Sequence, residues 1–317
     1  MPGEFELIAR HFARLTLPRS DVVVGVGDDA ALLTPAPGHE LVVTVDTLIE
    51  GVHFFADCPP AALGHKALAV NLSDLAAMGA RPAWALLALT LPRADEDWLA
   101  GFARGFGDLA QEHGVALVGG DTCRGPLAVS ITALGQVPCG QALRRAGARP
   151  GDGVYVSGEL GAAGLAVRAR RGEISLRAAL AAHAAQRLDR PQPRVALGLA
   201  LGGLASAAID VSDGLLADLG HICAAGGVGA RLDLASLPLP DGGLGLASHE
   251  ELLGSGDDYE LCFTVPPARE HALPALAGRL GLPLTRIGQI EPEPGLRQMD
   301  AQGAVQPVSR KGHDHFR

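Results

Sequence analysis

The chain has 317 residues, of which 48% are hydrophobic and 19% charged, and this composition excludes a low-complexity disordered protein. A formal net charge of −9 argues against the basic stripe of a nucleic-acid-binding protein. No uninterrupted apolar run reaches the roughly 18 residues of a membrane span, and the first residues lack a signal-peptide pattern, so we expect a soluble, cytoplasmic protein. The five cysteines contain no C-x-x-C pair, and we expect reduced, mostly buried thiols, each a small core residue, and no thiolate metal site.

Strand-like and helix-like runs alternate in the first half of the chain. Short β-branched runs bounded by Gly, Pro and Asp predict strands, and an apolar stripe at helical spacing predicts a helix over 61–78. Gly114 is expected to end a second helix, and residues 119–126 to form a loop. The predicted strands are 21–25, 41–45, 84–91, 115–118 and 127–137, and the predicted helices are 61–78 and 95–113.

A change in composition predicts a domain boundary at residues 141–153. This stretch holds three arginines and the turn-forming sequence Arg-Pro-Gly-Asp, so we predict domains 1–140 and 141–317. The mixed order of elements indicates an α+β or α/β fold. In the second domain, the predicted strands are 154–157, 230–234, 260–265 and 285–290, and the predicted helices are 162–171, 175–188, 193–204 and 215–225.

Aspartates beside Gly, Ser or Thr recur along the chain, and we expect each at a strand end or helix start. Mg²⁺ typically takes one or two carboxylates together with phosphate oxygens and water, and glycine lets the backbone approach a phosphate. One such motif is more often a turn or a helix cap, but six in one chain favour a metal–phosphate site. The six segments are 25–29, 44–47, 71–74, 119–122, 210–214 and 254–258.

Residues 22–30, followed by Asp46, imitate a dinucleotide-binding fingerprint. Two prolines and a glycine within 33–39 exclude the helix that this fingerprint requires, and Asp28 and Asp29 would repel a pyrophosphate. The sequence also lacks a Walker loop and the protein-kinase, H-E-x-x-H and G-x-S-x-G motifs. Any ATP binding by this chain would therefore use a different arrangement.

Six segments and a C-terminal signature, in order across nearly the whole chain, resemble the thiamine-monophosphate kinases of the aminoimidazole ribonucleotide synthetase superfamily. The matching segments are Gly25–Asp29, Val45–His53, Lys66–Met78, Gly119–Arg124, Asp210–Gly214, Gly254–Glu260 and Lys311–Phe316. The resemblance implies a two-domain α+β fold. Domain 1–140 would bind metal and ATP phosphates and pair with a second subunit through its sheet, and the α/β domain 141–317 would complete the active site.

The resemblance also implies an activity, the ATP-dependent phosphorylation of thiamine monophosphate to thiamine diphosphate in thiamine biosynthesis. The γ-phosphoryl group would pass directly and in line to the substrate phosphate, with several Mg²⁺ ions held by aspartates, in a cytoplasmic homodimer. The partners are thus ATP, thiamine monophosphate and a second copy, without nucleic acid or membrane. Another ATP-using enzyme or a non-enzymatic maturation protein of the superfamily is the alternative.

By resemblance, the site consists of metal, phosphate and substrate ligands. We expect no other catalytic group, because the acceptor phosphate is already ionised and the reaction needs mainly positioning and charge neutralisation. The implied metal ligands are Asp29, Thr44, Asp46, Asp74, Asp121, Asp210 and Asp213, together with Asp28, which either binds metal or orients Asp29. The implied ATP ligands are Gly120, Asp121, Arg145 and Ser212, and the implied substrate ligands are His53, Asp257 and Arg310.

Two substrate positions depart from the family pattern. Asp257 stands where the family has Glu, so its carboxylate reaches one methylene less far. Arg310 stands where relatives carry Trp, which replaces an aromatic ring with a cationic, planar guanidinium. Lys66, on the predicted helix 61–78, is either a surface lysine or a phosphate ligand, and the pattern does not choose between them.

Overall fold

A computed structural model describes residues 4–15 and 17–308, without the side chains of Glu4, Phe5 and Arg14. Within this part of the chain, two compact units form. The first contains the residues up to Leu75 and Ala80–Gly140, and the second contains Ala76–Gly79 and the residues from Gln141 onward. Arg310 and the C-terminal signature lie outside the described residues.

The first unit contains two sheets and three helices. Its helices are α1 (Glu4–Leu7), followed by irregular helical turns to Leu15, α2 (Pro60–Ala77), whose last two residues fall in the second unit, and α3 (Glu96–His113). Its strands are β1 (Val22–Val24), β2 (Leu32–Leu33), β3 (His39–Ile49), β4 (Arg81–Leu91), β5 (Ala116–Arg124) and β6 (Ala128–Pro138).

Four of these strands form one sheet in the order β3-β6-β4-β5. β6 pairs antiparallel with both β3 and β4, and β5 pairs parallel with β4. The two outer strands are therefore β3 and β5. Along β3, side chains alternate between a half-buried face with Thr44 and Asp46 and an exposed apolar face with Val43 and Val45.

Helices α2 and α3 pack closely against each other because glycines stand at their crossing. A Cβ atom added at Gly105 would lie 1.8 Å from the backbone oxygen of Ala61, and one at Gly64 would lie 2.1 Å from the backbone oxygen of Phe102. Asp95 caps the start of α3 by accepting from the N–H of Trp98, and Gly114 ends the helix in the left-handed conformation. Of these two helices, α2 carries both Lys66 and Asp74.

The antiparallel hairpin β1–β2 packs on a cluster around Trp84, which is fully buried. Arg19 and Trp84 fix its start, because the Arg19 guanidinium and the indole N–H both donate to the carboxylate of Asp21. These donors lower the pKa of Asp21. In the described chain, no helix lies between β1 and β3, as the two prolines and the glycine within 33–39 predict.

The second unit is built on a seven-stranded sheet in the order β13-β12-β9-β11-β7-β10-β8. The pairing is antiparallel except between β12 and β9. The strands are β7 (Gly153–Ser157), β8 (Ala207–Asp210), β9 (Gly229–Asp233), β10 (Leu261–Val265), β11 (Leu284–Glu291), β12 (Gly295–Met299) and β13 (Val305–Pro307). The helices are α4 (Ala162–Arg170), α5 (Ala178–Asp189), α6 (Val195–Leu201), α7 (Leu215–Gly226), α8 (His249–Leu253) and α9 (Leu273–Leu280).

Apolar side chains of α7 form the main core of this unit with the strands beneath them. Leu215, Leu219 and Ile222 pack with Val156 of β7 and Ile209 of β8. Burying such aliphatic side chains stabilises the unit by about 1.5–3 kcal/mol each. The packing fixes the start of α7 next to the end of β8, where the segment Asp210–Gly214 lies.

The α+β fold class is confirmed, and three local predictions are wrong. Residues 119–124 continue β5 instead of forming a loop, because they pair with β4 as far as Leu91 and Arg124. Asp46 lies inside β3, and Asp74 lies in the last turns of α2, so neither stands at a strand end or helix start. Cys123 and Cys139 are exposed, whereas the other three cysteines are buried.

No helix of the described residues is both long and apolar enough to cross a membrane.

Candidate active site

In the first unit, α2 and β3 bring two predicted metal ligands into contact. Thr44 Oγ1 donates a hydrogen bond to Asp74 Oδ2 over 2.5 Å. Thr44 and Asp46 point to the same face of β3, because side chains two residues apart share a face. Both residues and Asp74 are half-buried. This face of β3 therefore carries a threonine hydroxyl and the Asp46 carboxylate, and α2 brings the Asp74 carboxylate to it.

The loop after β1 carries Asp28 and Asp29, both exposed. Asp28 Oδ1 accepts from the N–H of Asp29 over 2.8 Å, so its side chain orders the backbone of its neighbour. Gly27 precedes them with φ +120°, a conformation that favours glycine. The sequence left open whether Asp28 is a ligand or orients Asp29, and this contact favours the orienting role.

Asp46 and Gly120 lie at opposite edges of the four-stranded sheet. One row of paired residues runs Asp46–Ile131–Leu87–Gly120 across the four strands. Three strand spacings separate its ends, which is about 14 Å along the sheet. The sheet of one chain therefore does not bring Asp46 next to Gly120 and Asp121.

Gly120 sits where its strand touches β4 most tightly. Its φ is +150°, and an added Cβ would lie 1.9 Å from the backbone oxygen of Leu87. Only glycine fits such a close approach. Asp121, the next residue, is exposed and pairs with Ala88.

His53 ends a tight turn that follows β3. The N–H of Ile49 donates to His53 Nδ1 over 3.0 Å, and the N–H of His53 donates to the carbonyl of Ile49 over 2.9 Å. Because Nδ1 accepts a hydrogen bond, the neutral ring carries its proton on Nε2. Lys66 Nζ donates to the carbonyl of His53 over 3.3 Å. Lys66 is 1% exposed, so its interpretation as a surface lysine is wrong.

In the second unit, β8 ends at Asp210, and the segment after it holds Ser212 and Asp213. Asp218, on the first turn of α7, accepts from the N–H groups of Ser212 and Asp213 over 3.1 and 3.2 Å. Asp218 is buried, and burial raises its pKa to about 7, with a further contribution from the nearby charge of Asp213. Asp218 thus fixes the backbone of the two predicted ligands, a role that the sequence did not reveal.

A second segment, residues 254–258, packs backbone to backbone on this one. A Cβ added at Gly256 would lie 2.1 Å from the backbone oxygen of Ser212, and one at Gly214 would lie 2.8 Å from that of Leu253. The N–H of Asp257 donates to the carbonyl of Ser212 over 2.9 Å. The predicted phosphate ligand Ser212 and the predicted substrate ligand Asp257 are therefore neighbours.

Asp257 and Tyr259 adopt positive φ values of 68° and 49°, which are uncommon for residues other than glycine. Between them, the buried Asp258 accepts from the N–H of Gly161 with both carboxylate oxygens, over 2.8 and 3.0 Å. Burial raises the pKa of Asp258 well above its usual range. The strained backbone is thus held by contacts on both sides.

Glu260 is the anchor of this segment. It is 0% exposed and accepts from Arg187, Arg194 and Ser157 over 2.5–2.6 Å. Arg187 also donates to the backbone carbonyl of Asp258 over 3.2 Å. An ion-paired and hydrogen-bonded carboxylate is the form in which a charge can be buried. Arg187 lies in α5, and Arg194 directly precedes α6. No motif in the sequence indicated either arginine.

Arg145 is exposed in the segment that precedes β7. Burial raises the pKa of Asp218, and the positive charge of Arg145 acts in the opposite direction. The Arg145 guanidinium is therefore close enough to the Ser212 segment to act on it electrostatically. Arg suits bidentate phosphate contacts. The predicted substrate residue Arg310 lies outside the described residues.

Across the described ranges, no group of three or more His, Cys, Asp or Glu side chains is close enough to hold a metal ion alone. The donors on the α2 face of β3 are carboxylate and hydroxyl oxygens, which suit Mg²⁺. Because Mg²⁺ usually keeps water and phosphate oxygens among its ligands, paired rather than clustered carboxylates fit it. The residues present therefore suit Mg²⁺ bound together with a polyphosphate.

Comparisons with known proteins show the family to which the chain belongs. Residues 27–137 match the family model of the AIR synthase related protein N-terminal domain, and residues 149–300 match that of its C-terminal domain. The thiamine-monophosphate kinase of Salmonella typhimurium strain LT2 is 49% identical over 99% of this chain and 98% of its own length.

Two solved structures are also similar along nearly their whole length. One is the thiamine-monophosphate kinase of Stenotrophomonas maltophilia K279a, with 51% identity, a TM-score of 0.86 and coverage of 93% of this chain and 96% of that one. The other is AaThiL complexed with AMPPCP and TMP, with 31% identity, a TM-score of 0.79 and coverage of 99% and 97%. This chain therefore belongs to the thiamine-monophosphate kinase family of the AIR synthase related proteins.

Proposed function

We propose that this protein phosphorylates thiamine monophosphate with ATP to form thiamine diphosphate and ADP. The full-length similarity to thiamine-monophosphate kinases carries the proposal, since it spans both units and all the candidate segments that the structure describes. The related complex with AMPPCP and TMP supports the choice of the two substrates.

The reaction needs little from the protein beyond alignment. The bond between the γ-phosphorus and the β,γ-bridging oxygen of ATP breaks, a bond to an oxygen of the substrate phosphate forms, and ADP leaves. The second pKa of a phosphate monoester is about 6, so the acceptor oxygen is ionised at neutral pH without a general base. Backbone N–H groups and cations that align two polyanions supply most of the catalysis.

We assign the phosphate contacts to Ser212, Gly120 and Arg145. Ser212 lies on a segment fixed by Asp218, and Gly120 is exposed on β5 beside Asp121. Arg145 adds a positive charge for phosphate oxygens. Asp257, beside Ser212, and His53, at the end of its turn, bind the substrate.

Mg²⁺, when bound, would neutralise the negative charge of the phosphates during the transfer. We assign several Mg²⁺ ions to two sets of ligands, which are Asp29, Thr44, Asp46, Asp74 and Asp121 in the first unit and Asp210 and Asp213 in the second, with Asp28 ordering Asp29. Thr44 positions Asp74 through their hydrogen bond. The carboxylates that remain half-buried or exposed keep oxygens available for a hydrated ion.

The enzyme is proposed to act as a homodimer whose partner covers the apolar face of β3. On this edge strand, Leu41, Val43 and Val45 are 46%, 58% and 62% exposed. An exposed apolar edge strand favours pairing with another chain. Pairing of β3 with the partner's β5, twice around a two-fold axis, would close eight strands into a barrel whose interior side chains can fill.

Such a dimer would also complete the site. It would place Asp46 of one chain beside the segment of the partner that corresponds to Gly120 and Asp121, which lie about 14 Å away within one chain. Each active site would then take ligands from two chains.

A direct assay tests the reaction. Purified protein, ATP, Mg²⁺ and thiamine monophosphate are incubated, and ADP and thiamine diphosphate are quantified, with free thiamine as the control acceptor. We expect the two products in equal amounts, and their loss with EDTA or in Asp46→Asn. ATP binding without thiamine diphosphate would reject the proposal in favour of another activity of the superfamily.

Mixing two inactive variants tests the shared site. In a mixed dimer of Asp46→Asn with Asp121→Asn, one site receives both intact aspartates and the other receives neither. Random pairing should restore about a quarter of wild-type activity, because half of the dimers are mixed and each has one intact site. A mixture that stays inactive after verified subunit exchange would place each site within a single chain.

The apolar face of β3 has its own test in solution. Val43→Lys with Val45→Lys should convert the dimer to a monomer in light scattering, since two charges cannot be buried at the contact without partners. Leu244→Lys, at an exposed leucine of the second unit, is the matched control and should leave the mass unchanged.

A further inference from the structure

Lys66 is the one lysine among the described residues, and it is 1% exposed. A buried ammonium loses its hydration, so a protein keeps it only where it meets fixed acceptors. One acceptor is the backbone carbonyl of His53, 3.3 Å from Nζ. The lysine therefore connects the middle of α2 to the turn that follows β3.

The turn itself is closed by backbone contacts. The N–H of Gly51 donates to the carbonyl of Phe54 over 2.8 Å, and those of Val52 and His53 donate to the carbonyl of Ile49 over 3.1 and 2.9 Å. The imidazole takes part, since His53 Nδ1 accepts from the N–H of Ile49. The carbonyl of His53 receives its donor from another element, α2.

The same helix touches β3 at a second point. Eight residues after Lys66, Asp74 accepts from Thr44, so α2 and the β3 segment run past each other with a polar contact at each end. One contact holds a candidate metal ligand and the other holds a candidate substrate ligand. A shift of the Lys66 contact would move His53 without moving Thr44.

We infer that Lys66 is a positioning residue for substrate binding: its buried ammonium holds the Ile49–Phe54 turn so that the His53 ring keeps its proton on Nε2 and its orientation toward thiamine monophosphate. The inference rests on the proposed function for the identity of the substrate. Lys66 does not itself contact substrate in this proposal.

Steady-state kinetics of four proteins test it: wild type, Lys66→Met, His53→Ala and the double variant. Met keeps the length and apolar volume of the side chain and removes the donor. Loss of a hydrogen bond from a charged group predicts a KM for thiamine monophosphate raised about tenfold in Lys66→Met, with the KM for ATP within about twofold of wild type. In the His53→Ala background, Lys66→Met should then change the KM by less than about twofold.

The opposite pattern overturns the inference. A second tenfold loss in the double variant, or equal rises in both KM values, would mean that Lys66 supports the fold in general. Leu68→Ala, a fully buried leucine on the same helix, measures the effect of a destabilised α2 alone and should leave the KM for thiamine monophosphate near wild type. If Lys66→Met does not fold, Lys66→Arg takes its place in the same double-mutant cycle with His53→Ala. Arginine keeps a charged donor but changes its distance from the carbonyl of His53.

A measurement without turnover separates this inference from the proposed function. In ¹⁵N-histidine-labelled protein, the ring signal of His53, assigned by its loss in His53→Ala, should show a protonated Nε2 and an unprotonated Nδ1. In Lys66→Met it should shift toward a mixture of tautomers. If the wild type makes no thiamine diphosphate, the proposed function fails while this spectrum still tests Lys66; an unchanged spectrum in Lys66→Met overturns the role of Lys66 alone.

Discussion

The candidate residues of the two units differ in how far the fold assembles them. In the first unit, Asp29 and Asp121 are exposed, Asp46 and Gly120 lie on opposite edges of a sheet, and Thr44–Asp74 is one local contact. In the second unit, the Ser212 and Asp257 segments are packed backbone to backbone and held by buried carboxylates. We call the packed segments of the second unit, residues 210–214 and 254–260, the prebuilt region. The candidate residues of the first unit, which the fold leaves apart, form the open region.

This difference is consistent with the chemistry of the proposed ligands. Groups that recognise an oriented phosphate gain from being rigid before the ligand arrives, since the ordering cost is met during folding. Carboxylates that meet Mg²⁺ repel one another when the ion is absent, so their close assembly would cost stability. The pre-ordered Ser212 segment avoids the first cost, and the open region, which holds four of the six aspartates assigned to metal, avoids most of the second.

The sharpest way to break the prebuilt region is to neutralise its anchor. Glu260→Gln leaves two arginines near an uncharged partner in a buried site, so we expect the free energy of unfolding to fall by about 3–5 kcal/mol. Both tyrosines lie in the second unit and both tryptophans in the first, so urea unfolding can be followed in each unit separately. The tyrosine transition should move to lower urea and the tryptophan transition should move less.

Asp241→Asn is the matched control for Glu260→Gln. It also removes a carboxylate that pairs with an arginine, Arg177, but at an exposed position. Exposed ion pairs contribute little to stability. A shift as large as that of Glu260→Gln would show that the burial of Glu260 is unimportant.

A smaller effect is expected where the two segments of the second region touch. Gly256→Ala places a methyl group against the carbonyl of Ser212, and such overpacking typically costs about 1–3 kcal/mol. The segments should separate, raising the KM for ATP as well as lowering stability. Gly245→Ala, where a Cβ meets no atom within 4 Å, should change neither.

The sequence predicted the elements whose signals are local. Asp95 and Gly114 cap α3 as their residue types indicate, and the apolar stripe of α2 placed that helix within one residue at each end. β8 was missed because Ala207–Asp210 has no strand pattern of its own and is made a strand by pairing with β10. Residues 119–124 have loop-like composition, and pairing with β4 overrides it.

The candidate site shows the same division between local and distant signals. Each aspartate motif could be found from its neighbours in sequence. The residues that hold these motifs could not, because Glu260 meets Arg187 and Arg194 from distant helices, and Lys66 meets His53 across a helix and a turn. The helix around Lys66 is apolar on all sides, which is typical of a buried helix, but this pattern does not reveal the acceptor of the lysine. The sequence thus predicted the ligands better than their supports.

Asp258 gives a smaller, pH-dependent test of the prebuilt region, because the N–H of Gly161 and the charge of Arg187 offset part of its desolvation. Its pKa is raised in the folded state, so the folded protein holds this proton above the pH at which the unfolded chain releases it. This contribution to stability is present below about pH 4 and is lost as the pH rises from there through the raised pKa. Asp258→Asn cannot titrate, so its melting temperature between pH 5 and 8 should fall less than that of the wild type. Equal slopes would show that Asp258 is ionised throughout.

The smallest effect on stability is expected in the open region, from Thr44→Val. This change removes the hydrogen bond to Asp74 and keeps the side-chain shape, so the free energy of unfolding should change by no more than about 1 kcal/mol. The Mg²⁺ concentration for half-maximal activity should nevertheless rise severalfold, since Asp74 is no longer held beside β3. Thr47→Val is the matched control, because Thr47 lies on the opposite face of β3 from Thr44. The change removes its hydrogen bond to Ser130 of β6 and should leave the Mg²⁺ requirement unchanged. If both variants raise that requirement equally, the integrity of β3 rather than the Thr44–Asp74 contact sets the metal dependence. The fold would then hold the metal ligands of the first unit more firmly than their exposure indicates.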